Sequence, residues 1–329
     1  MIIDVARHKF SEGLVTLFAT TLTMIVLVAT GVGEGAAMVE PYSASMDVVY
    51  DATFGSGFVE GLIIVICYTL SAFILTRATL RTHIYPADTM AAMALSAVMM
   101  LPMIVGQYAL REAVVTLATS AAVSNMLYCF GPHKRPHRLF AAMLASGLLA
   151  TIEASLMVIP LIMGLVLIMA RKRLREALVV VVGMLLPLFT TLYIAWLGGE
   201  EFDQGLLTWW RSAFIPLELN TLDGISIPRL GLFGLVLILQ ITTSVLHFLH
   251  RDSHTSSTRG AWRALHLILL VAICAFVFMP AASGSLLTVA IIVSTTMLPT
   301  FFICNSAILS SLSYVALFAM AIAAAFYSF

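Results

Sequence analysis

The stretch that decides the fold covers residues 139–170 and reads LFAAMLASGLLATIEASLMVIPLIMGLVLIMA. A single helix of these 32 residues would be about 48 Å long, whereas the hydrocarbon core of a membrane is about 30 Å thick. Basic runs flank it on both sides, at 134–138 and 171–175. Because basic loops stay on the cytoplasmic side, the chain must enter and leave the membrane there. We therefore predict a short hairpin or re-entrant pair, broken at 151–155 with Glu153 near its tip.

The whole chain has the composition of a membrane protein. Of its 329 residues, 61% are hydrophobic and 10% are charged, and the mean hydropathy is +1.03. An ordinary soluble domain has about 25% charged residues and could not bury so much apolar surface. These values exclude a soluble enzyme, a nucleic-acid-binding module and a secreted disulfide-rich protein. The four cysteines form no CxxC pair, so no disulfide framework or metal knuckle is predicted.

Hydropathy predicts an all-α, polytopic integral membrane protein with about eleven transmembrane helices and a cytoplasmic N-terminus. The predicted spans are residues 13–33, 57–76, 88–106, 110–130, 139–152, 154–170, 177–198, 229–248, 264–280, 284–303 and 305–327. The connections between them leave no room for a soluble domain. Residues 1–329 are therefore expected to form one transmembrane helical domain in a bacterial inner membrane.

The distribution of charge sets the orientation. Of the 17 basic residues, 14 lie in segments assigned to the cytoplasmic side, in agreement with the positive-inside rule. The 17 acidic residues show the opposite distribution, with five inside and twelve outside or near the outer boundary. The zero net charge is therefore a cancellation between two opposite faces. The acidic outer face is the first place where we look for function.

One outer loop contains a predicted amphipathic helix. Within residues 202–214, the apolar residues Phe202, Leu206 and Trp210 recur at helical spacing. The polar residues Asp203, Thr208, Arg211 and Ser212 lie off that stripe. Tryptophan suits the headgroup zone of a membrane. We therefore expect this segment to lie as an interfacial helix on the outer side.

Glu153 is the first candidate functional residue. A carboxylate inside a membrane hairpin costs several kcal/mol unless it is paired or hydrated, so such residues commonly mark an ion or proton pathway. A carboxylate can also act as a general base. The competing interpretation is that the tip of the hairpin reaches water, which would make Glu153 an ordinary loop residue.

Three further acidic residues lie in the first outer loop or at the start of the span that follows it. Asp47 and Asp51 are four residues apart and would share a helix face or flank a turn. Such a pair can act as a catalytic base or bind a divalent metal ion, although solvated loop acids are commoner. Glu60 opens the second span, where the helix dipole alone favours a carboxylate. We predict no other metal site and no cofactor.

The outer basic residues are candidates for substrate binding. Arg111 stands beside Glu112 in a short outer turn, and Arg211 and Arg229 are the only other basic residues assigned to that side. A phosphate group at the outer face would have to be held by these arginines, because a guanidinium offers a planar fork of donors. Interfacial snorkelling and pairing with the outer acids are equally good explanations.

These features resemble the GT-C class of glycosyltransferases and the O-antigen polymerase and ligase group. The shared features are many helices, no cytoplasmic domain, acids in the first outer loop and an interfacial outer helix. The resemblance implies that Asp47 or Asp51 supplies the catalytic acid and that outer arginines bind a lipid pyrophosphate. This chain departs from the class because it lacks an adjacent acid pair and a large outer domain, and because it is shorter than most members.

A second resemblance covers residues 115–200. The hairpin with Glu153, the basic run after it, and then Gly183 and Pro187 in the next span are similar to short uncharacterised polytopic membrane proteins of Bacteroidota. This resemblance implies the fold of that stretch and no activity.

Three hypotheses about function remain open. The first is an inner-membrane protein of cell-envelope glycan or glycolipid assembly that acts at the outer face on a polyprenyl-phosphate-linked substrate. As an enzyme it would be a GT-C-like glycosyltransferase or polymerase. Asp47, Asp51 and Glu153 would then be catalytic. The second is a proton- or ion-coupled transporter or flippase that uses Glu153, Glu60 and Glu112. The third is a non-catalytic subunit of a larger complex. The expected partners are membrane lipid and other membrane proteins, and not nucleic acid.

Overall fold

Every regular element in the described part of the chain is helical. The computed structural model describes residues 10–29, 57–85, 87–103, 109–131, 136–171, 173–199, 201–214, 227–249, 255–279 and 284–326. Within these ranges the α-helices are α1 (Phe10–Ala29), α2 (Gly57–Thr82), α3 (Ala91–Met100), α4 (Ala109–Phe130), α5 (Pro136–Ile152), α6 (Val158–Arg171), α7 (Leu174–Leu197), α8 (Phe202–Phe214), α9 (Ile227–Leu249), α10 (Ser256–Phe278), α11 (Gly284–Thr295), α12 (Pro299–Cys304) and α13 (Ala307–Phe326). The all-α prediction is confirmed.

Eight helical segments among the described residues are long and apolar enough to cross a membrane. They are Gly61–Thr82, Leu110–Phe130, Ala154–Arg171, Leu174–Leu197, Ile227–Leu249, Ser256–Phe278, Gly284–Cys304 and Ala307–Phe326. Three shorter apolar segments, Val15–Ile25, Ala91–Met103 and Pro136–Ile152, lie at the other three predicted spans. The protein is therefore a multi-pass helical membrane protein. Eight crossings are supported by length and composition, and the number eleven stays a prediction.

The stretch 139–170 folds as two helices that meet at Glu153. Helix α5 ends at Ile152, and Glu153 has an extended backbone (φ −150°, ψ 125°) before a short 3-10 segment, Ala154–Met157, leads into α6. The Glu153 N–H still donates to the Leu149 carbonyl at 3.0 Å, and its own carbonyl accepts from the Leu156 N–H at 3.1 Å. The helix is interrupted inside the predicted segment 151–155, while both backbone groups of Glu153 stay paired.

Glycines allow α5 to pack closely against α7. A Cβ atom added at Gly147 would stand 2.4 Å from the Met184 carbonyl oxygen, and one at Gly183 would stand 3.0 Å from the Met143 Cβ. Close backbone approach at small residues is a common way for membrane helices to associate. Helices α5, α6 and α7 pack against one another in this manner and position the Glu153 break.

Two short buried helices occupy the centre of the bundle. Every residue of α3 is buried, as is every residue of α11 after the first. Helix α3 packs against α1, α2, α11 and α13, while α11 packs against α4, α9 and α10. A helix that is apolar on all sides belongs in the interior, with the other helices between it and the lipid.

Each central helix ends near a proline. Helix α3 ends in a 3-10 turn that contains Pro102, and a turn at 296–298 separates α11 from α12, which begins at Pro299. Side chains pair the carbonyls at these two helix ends. The Arg229 Nη2 donates to the Pro102 carbonyl at 2.7 Å, and the Tyr85 hydroxyl donates to the Thr296 carbonyl at 2.7 Å. Burial raises the pKa of Tyr85 well above its usual range, so this hydroxyl remains a donor at physiological pH.

Replacing Gly147 with alanine should separate α5 from α7. The new Cβ would collide with a backbone oxygen, and overpacking of this kind typically destabilises a protein by about 1–3 kcal/mol. Gly234→Ala on α9 is the matched control, because nothing lies within 4 Å of its added Cβ. That change should be neutral or stabilise by up to about 1 kcal/mol through helix propensity. Unfolding of the purified variants in detergent would measure both, and equal stability of the two variants would contradict the close contact.

Candidate functional site

The first turn of α4 places Glu112 against α11. The Ser285 hydroxyl donates to Glu112 Oε1 at 3.1 Å, and the Thr288 hydroxyl donates to Glu112 Oε2. Ser285 and Thr288 are three residues apart, so they share one face of α11, and both are buried. Each carboxylate oxygen therefore has its own donor. Two hydroxyl donors both stabilise and orient a carboxylate that lies among membrane helices.

Two arginines supply positive charge next to this carboxylate. Arg111 precedes Glu112 on α4 and is only 9% exposed. Arg229 lies in the first turn of α9, where its Nη2 is held by the Pro102 carbonyl. Both guanidinium groups interact electrostatically with Glu112. Such interactions are strongest where water is excluded, so the charges of this group depend on one another.

Tyr68 is a member of this group that the sequence analysis missed. It lies on α2 with 1% of its surface exposed, close to Glu112 and Arg229. Its hydroxyl faces Thr116 of α4, but no described residue meets hydrogen-bond geometry with it. The available signal was a tyrosine in the middle of an otherwise apolar span. Nothing in the sequence indicated that α2 and α4 would bring it to Glu112.

Glu153 lies at the edge of the same group. The Ser155 hydroxyl donates to Glu153 Oε1 at 2.5 Å, whereas the buried Oε2 has no hydrogen-bond partner among the described residues. Glu153 also interacts electrostatically with Glu112. From α8, the Trp209 Nε1 donates to the Ala150 carbonyl at 2.8 Å, which attaches this helix to the end of α5. The location of α8 in the outer interface stays a prediction.

We refer to these residues together as the Glu112 cluster. Its members are Tyr68, Arg111, Glu112, Glu153, Arg229, Ser285 and Thr288. The cluster includes four of the eight candidate residues from the sequence, which are Arg111, Glu112, Glu153 and Arg229. Arg211 lies on an exposed face of α8 without a described contact to the cluster. Asp47 and Asp51 lie outside the described residues, as does the side chain of Glu60 in the first turn of α2.

The Glu112 cluster lies at one end of the bundle, and a group of basic residues lies at the other. At that other end, the Arg171 Nη2 donates to the Cys129 carbonyl at 2.6 Å, and the Arg138 Nη1 donates to Asn125 Oδ1 at 2.9 Å. Helix α4 connects the two ends. The 18 residues from Arg111 to Cys129 span about 27 Å, close to the thickness of a hydrocarbon core.

The described residues offer no ready-made metal centre. Nowhere among them do three His, Cys, Asp or Glu side chains come close enough to share an ion. The divalent metal ion considered for Asp47 and Asp51 concerns residues outside this part of the chain. The chemistry that the Glu112 cluster offers is therefore that of two carboxylates, two guanidinium groups and three hydroxyls.

Comparisons with known proteins find no match for this chain. No protein family, no curated protein and no solved structure matches it. The likenesses to GT-C enzymes and to proteins of Bacteroidota therefore stay expectations from the sequence.

Thr288→Val should remove one of the two hydroxyl donors to Glu112. Leaving one oxygen of a buried carboxylate without its donor costs about 1–3 kcal/mol. Thr190→Val is the matched control, because Thr190 is exposed on α7 and, in the described part of the chain, its hydroxyl bonds the Leu186 carbonyl alone. That control should change stability by no more than about 0.5 kcal/mol. The free energy of unfolding in detergent is the measurement.

A double-mutant cycle makes this test specific. If Thr288 acts through Glu112, then Thr288→Val should have little effect in a Glu112→Gln background, because contacting residues are not additive. Equal losses in both backgrounds would show that the hydroxyl serves only in the packing of α11.

Proposed function

We propose that the protein is a proton- or ion-coupled membrane transporter or flippase in which Glu112 is the coupling carboxylate. The observation that carries this proposal is the position of Glu112, which two hydroxyls of central helix α11 hold beside two arginines and a second carboxylate. Ionisable side chains among membrane helices are costly, and they commonly form proton relays or line ion and substrate pathways.

The break between α11 and α12 supports the same proposal. Discontinuous helices at the centre of a bundle are typical of secondary transporters, where they form the substrate and ion sites. Arg229 links the end of the other central helix, α3, to the coupling group, because it bonds the Pro102 carbonyl and interacts electrostatically with Glu112. A change in the charge of Glu112 would therefore alter the forces on a residue that holds the end of α3.

Within this proposal, Glu112 takes the role that the sequence analysis had given first to Glu153. Glu112 contacts α11 through two hydrogen bonds, whereas Glu153 receives one from Ser155, its near neighbour in the chain. A carboxylate that bridges two helices can couple its charge to their relative position. Glu153 would then act as the second acid, which interacts electrostatically with Glu112.

The proposal predicts that Glu112→Gln abolishes charge movement. Purified protein in proteoliposomes on a solid-supported membrane would be given a pH or Na⁺ concentration jump, and the transient current would be recorded. The wild-type protein should give a current, and the Glu112→Gln protein should resemble empty liposomes. Glu201→Gln is the control, because Glu201 is exposed and, among the described residues, its carboxylate bonds Gln204 alone. A wild-type current in the Glu112→Gln protein would refute the role of this residue.

A second candidate function keeps the enzyme hypothesis. In it, the chain belongs to cell-envelope glycan assembly and acts on a polyprenyl-phosphate-linked substrate at the outer face of a bacterial inner membrane. The observation that favours it is that Arg111 and Arg229, two of the three candidate phosphate-binding arginines, both interact with Glu112. Asp47 or Asp51 would supply the base or the metal ligand, as the GT-C resemblance implies.

The two candidates predict different effects of alanine substitutions. Asp47→Ala and Asp51→Ala should deplete surface glycans and change the pool of lipid-linked precursors if the protein is the enzyme. They should leave the charge movement unchanged if it is the transporter. Unchanged glycans in both variants would exclude the enzyme hypothesis.

We further propose eleven membrane crossings with the N-terminus in the cytoplasm. Three of these crossings would use the shorter helices, α1, the α3 region and α5. An odd number places the two ends of the chain on opposite sides, whereas eight crossings would place them on the same side. Alkaline phosphatase fused after residue 329 should therefore be active in a bacterial host, and the same enzyme fused before residue 1 inactive. Equal activity at the two ends would contradict the odd number.

A further inference from the structure

A cavity of about 540 Å³ opens at the basic end of the bundle, away from the Glu112 cluster. It lies between the end of α2, the end of α4 and the starts of α5 and α10. Its volume is within the range of pockets that hold small molecules and cofactors, about 300–1,000 Å³. The proposed function does not use this cavity, and the length of α4, about 27 Å from Arg111 to Cys129, separates the two places.

Two arginines form the basic wall of the cavity. The Arg138 guanidinium donates to Asn125 Oδ1 at 2.9 Å and lies 4.8 Å from the centre of the Tyr128 ring, so it is held in place with further N–H donors remaining. Arg81 lines the cavity from the last turn of α2. In the described part of the chain, no carboxylate lines the cavity and none forms an ion pair with either arginine.

The remaining polar wall also consists mainly of donors. Helix α10 begins here, and its first-turn N–H groups have no carbonyl four residues earlier in the helix to bond. Thr255 caps the helix by accepting from the Thr258 N–H at 3.3 Å, and its hydroxyl also bonds that of Ser257 at 2.9 Å. His83 lines the same side and forms an exposed pair with Asp88 at 3.4 Å.

The other wall of the cavity is apolar. Ile84, Leu127, Phe130 and Ala261 line it, and they come from the helices that enclose the arginines. A ligand that fits both walls must carry a compact anionic group and an apolar part. This combination describes a phosphate ester better than a free inorganic ion, which would leave the apolar wall without a contact.

We propose that this cavity binds the phosphate group of an amphiphilic phosphate ester. The phosphate would contact Arg81 and Arg138, whose planar forks suit phosphate oxygens, and the apolar part would contact Phe130 and its neighbours. An anionic phospholipid headgroup and a soluble organic phosphate share this chemistry. Basic pockets between transmembrane helices are known to hold anionic lipid headgroups, and this cavity has the same construction.

The test measures binding of defined phosphates to the purified full-length chain. Dioctanoyl phosphatidic acid is titrated in detergent and bound lipid is counted by native mass spectrometry. The Arg81→Gln/Arg138→Gln double variant should bind about tenfold more weakly or worse, because two charge-assisted hydrogen bonds to the phosphate are lost. Arg263→Gln is the control, since Arg263 is an exposed arginine of α10 that does not line the cavity.

A third variant tests the cavity without removing charge. Ser257→Phe places a ring in the cavity while both arginines stay, so it should also prevent binding. If the double arginine variant fails to fold, the Ser257→Phe variant alone tests whether phosphatidic acid binds in the cavity. The proposal is overturned if Ser257→Phe binds phosphatidic acid like the wild type. It is equally overturned if Arg263→Gln weakens binding as much as the double variant does, because the attraction would then belong to the whole basic surface.

Competition identifies the source of the phosphate. Phenyl phosphate, a soluble ester with an apolar part, and dioctanoyl phosphatidylcholine are added to the complex with phosphatidic acid. Displacement by phenyl phosphate supports a soluble phosphate ester as the ligand. Displacement by phosphatidylcholine, whose headgroup has no net charge, overturns the role of the two arginines. Resistance to both competitors supports an anionic lipid headgroup with its acyl chains.

Discussion

In a lipid environment every backbone N–H and carbonyl group must find its partner within the protein, and the architecture of this chain follows from that constraint. Helices meet it along most of their length. The break at Glu153, the end of α3 and the turn after α11 meet it in other ways. At Glu153 the backbone pairs with its own neighbours, whereas Arg229 pairs the Pro102 carbonyl and Tyr85 pairs the Thr296 carbonyl. At two of these three places, a backbone carbonyl is therefore paired by a polar side chain from another part of the chain.

Arg229 both pairs a backbone carbonyl at the end of α3 and belongs to the candidate functional site. Arg229 bonds a carbonyl at the end of α3 and also interacts electrostatically with Glu112, which in turn accepts hydrogen bonds from α11. The charge state of one carboxylate is thereby connected to both central helices. Such a connection between an ionisable group and helix position is what a coupled transporter requires.

The sequence could predict the depth of most polar residues but not their neighbours. Arg111, Glu112, Arg229 and Glu153 all fall near the same boundary when hydropathy and the distribution of basic residues are combined, and the structure brings the four together. The two α11 residues that bond Glu112 lie more than 170 positions away from it in the chain. Hydropathy gives the level of a residue along the membrane normal and carries no information about which helices are adjacent. Tyr68 and Ser285 were missed for that reason.

By itself, the sequence determined the fold class and the break at 151–155, because local apolarity and one charged residue in an apolar run decide where helices begin and end. Tertiary structure alone decided which of the buried polar groups meet. The packing of α2, α4, α9 and α11 made Glu112 the centre of a cluster, and the meeting of α2, α4, α5 and α10 created the basic cavity. The physical reason is that helix packing depends on the shapes of whole helix surfaces, such as the close contact at Gly147, and these pair segments that are distant in the chain.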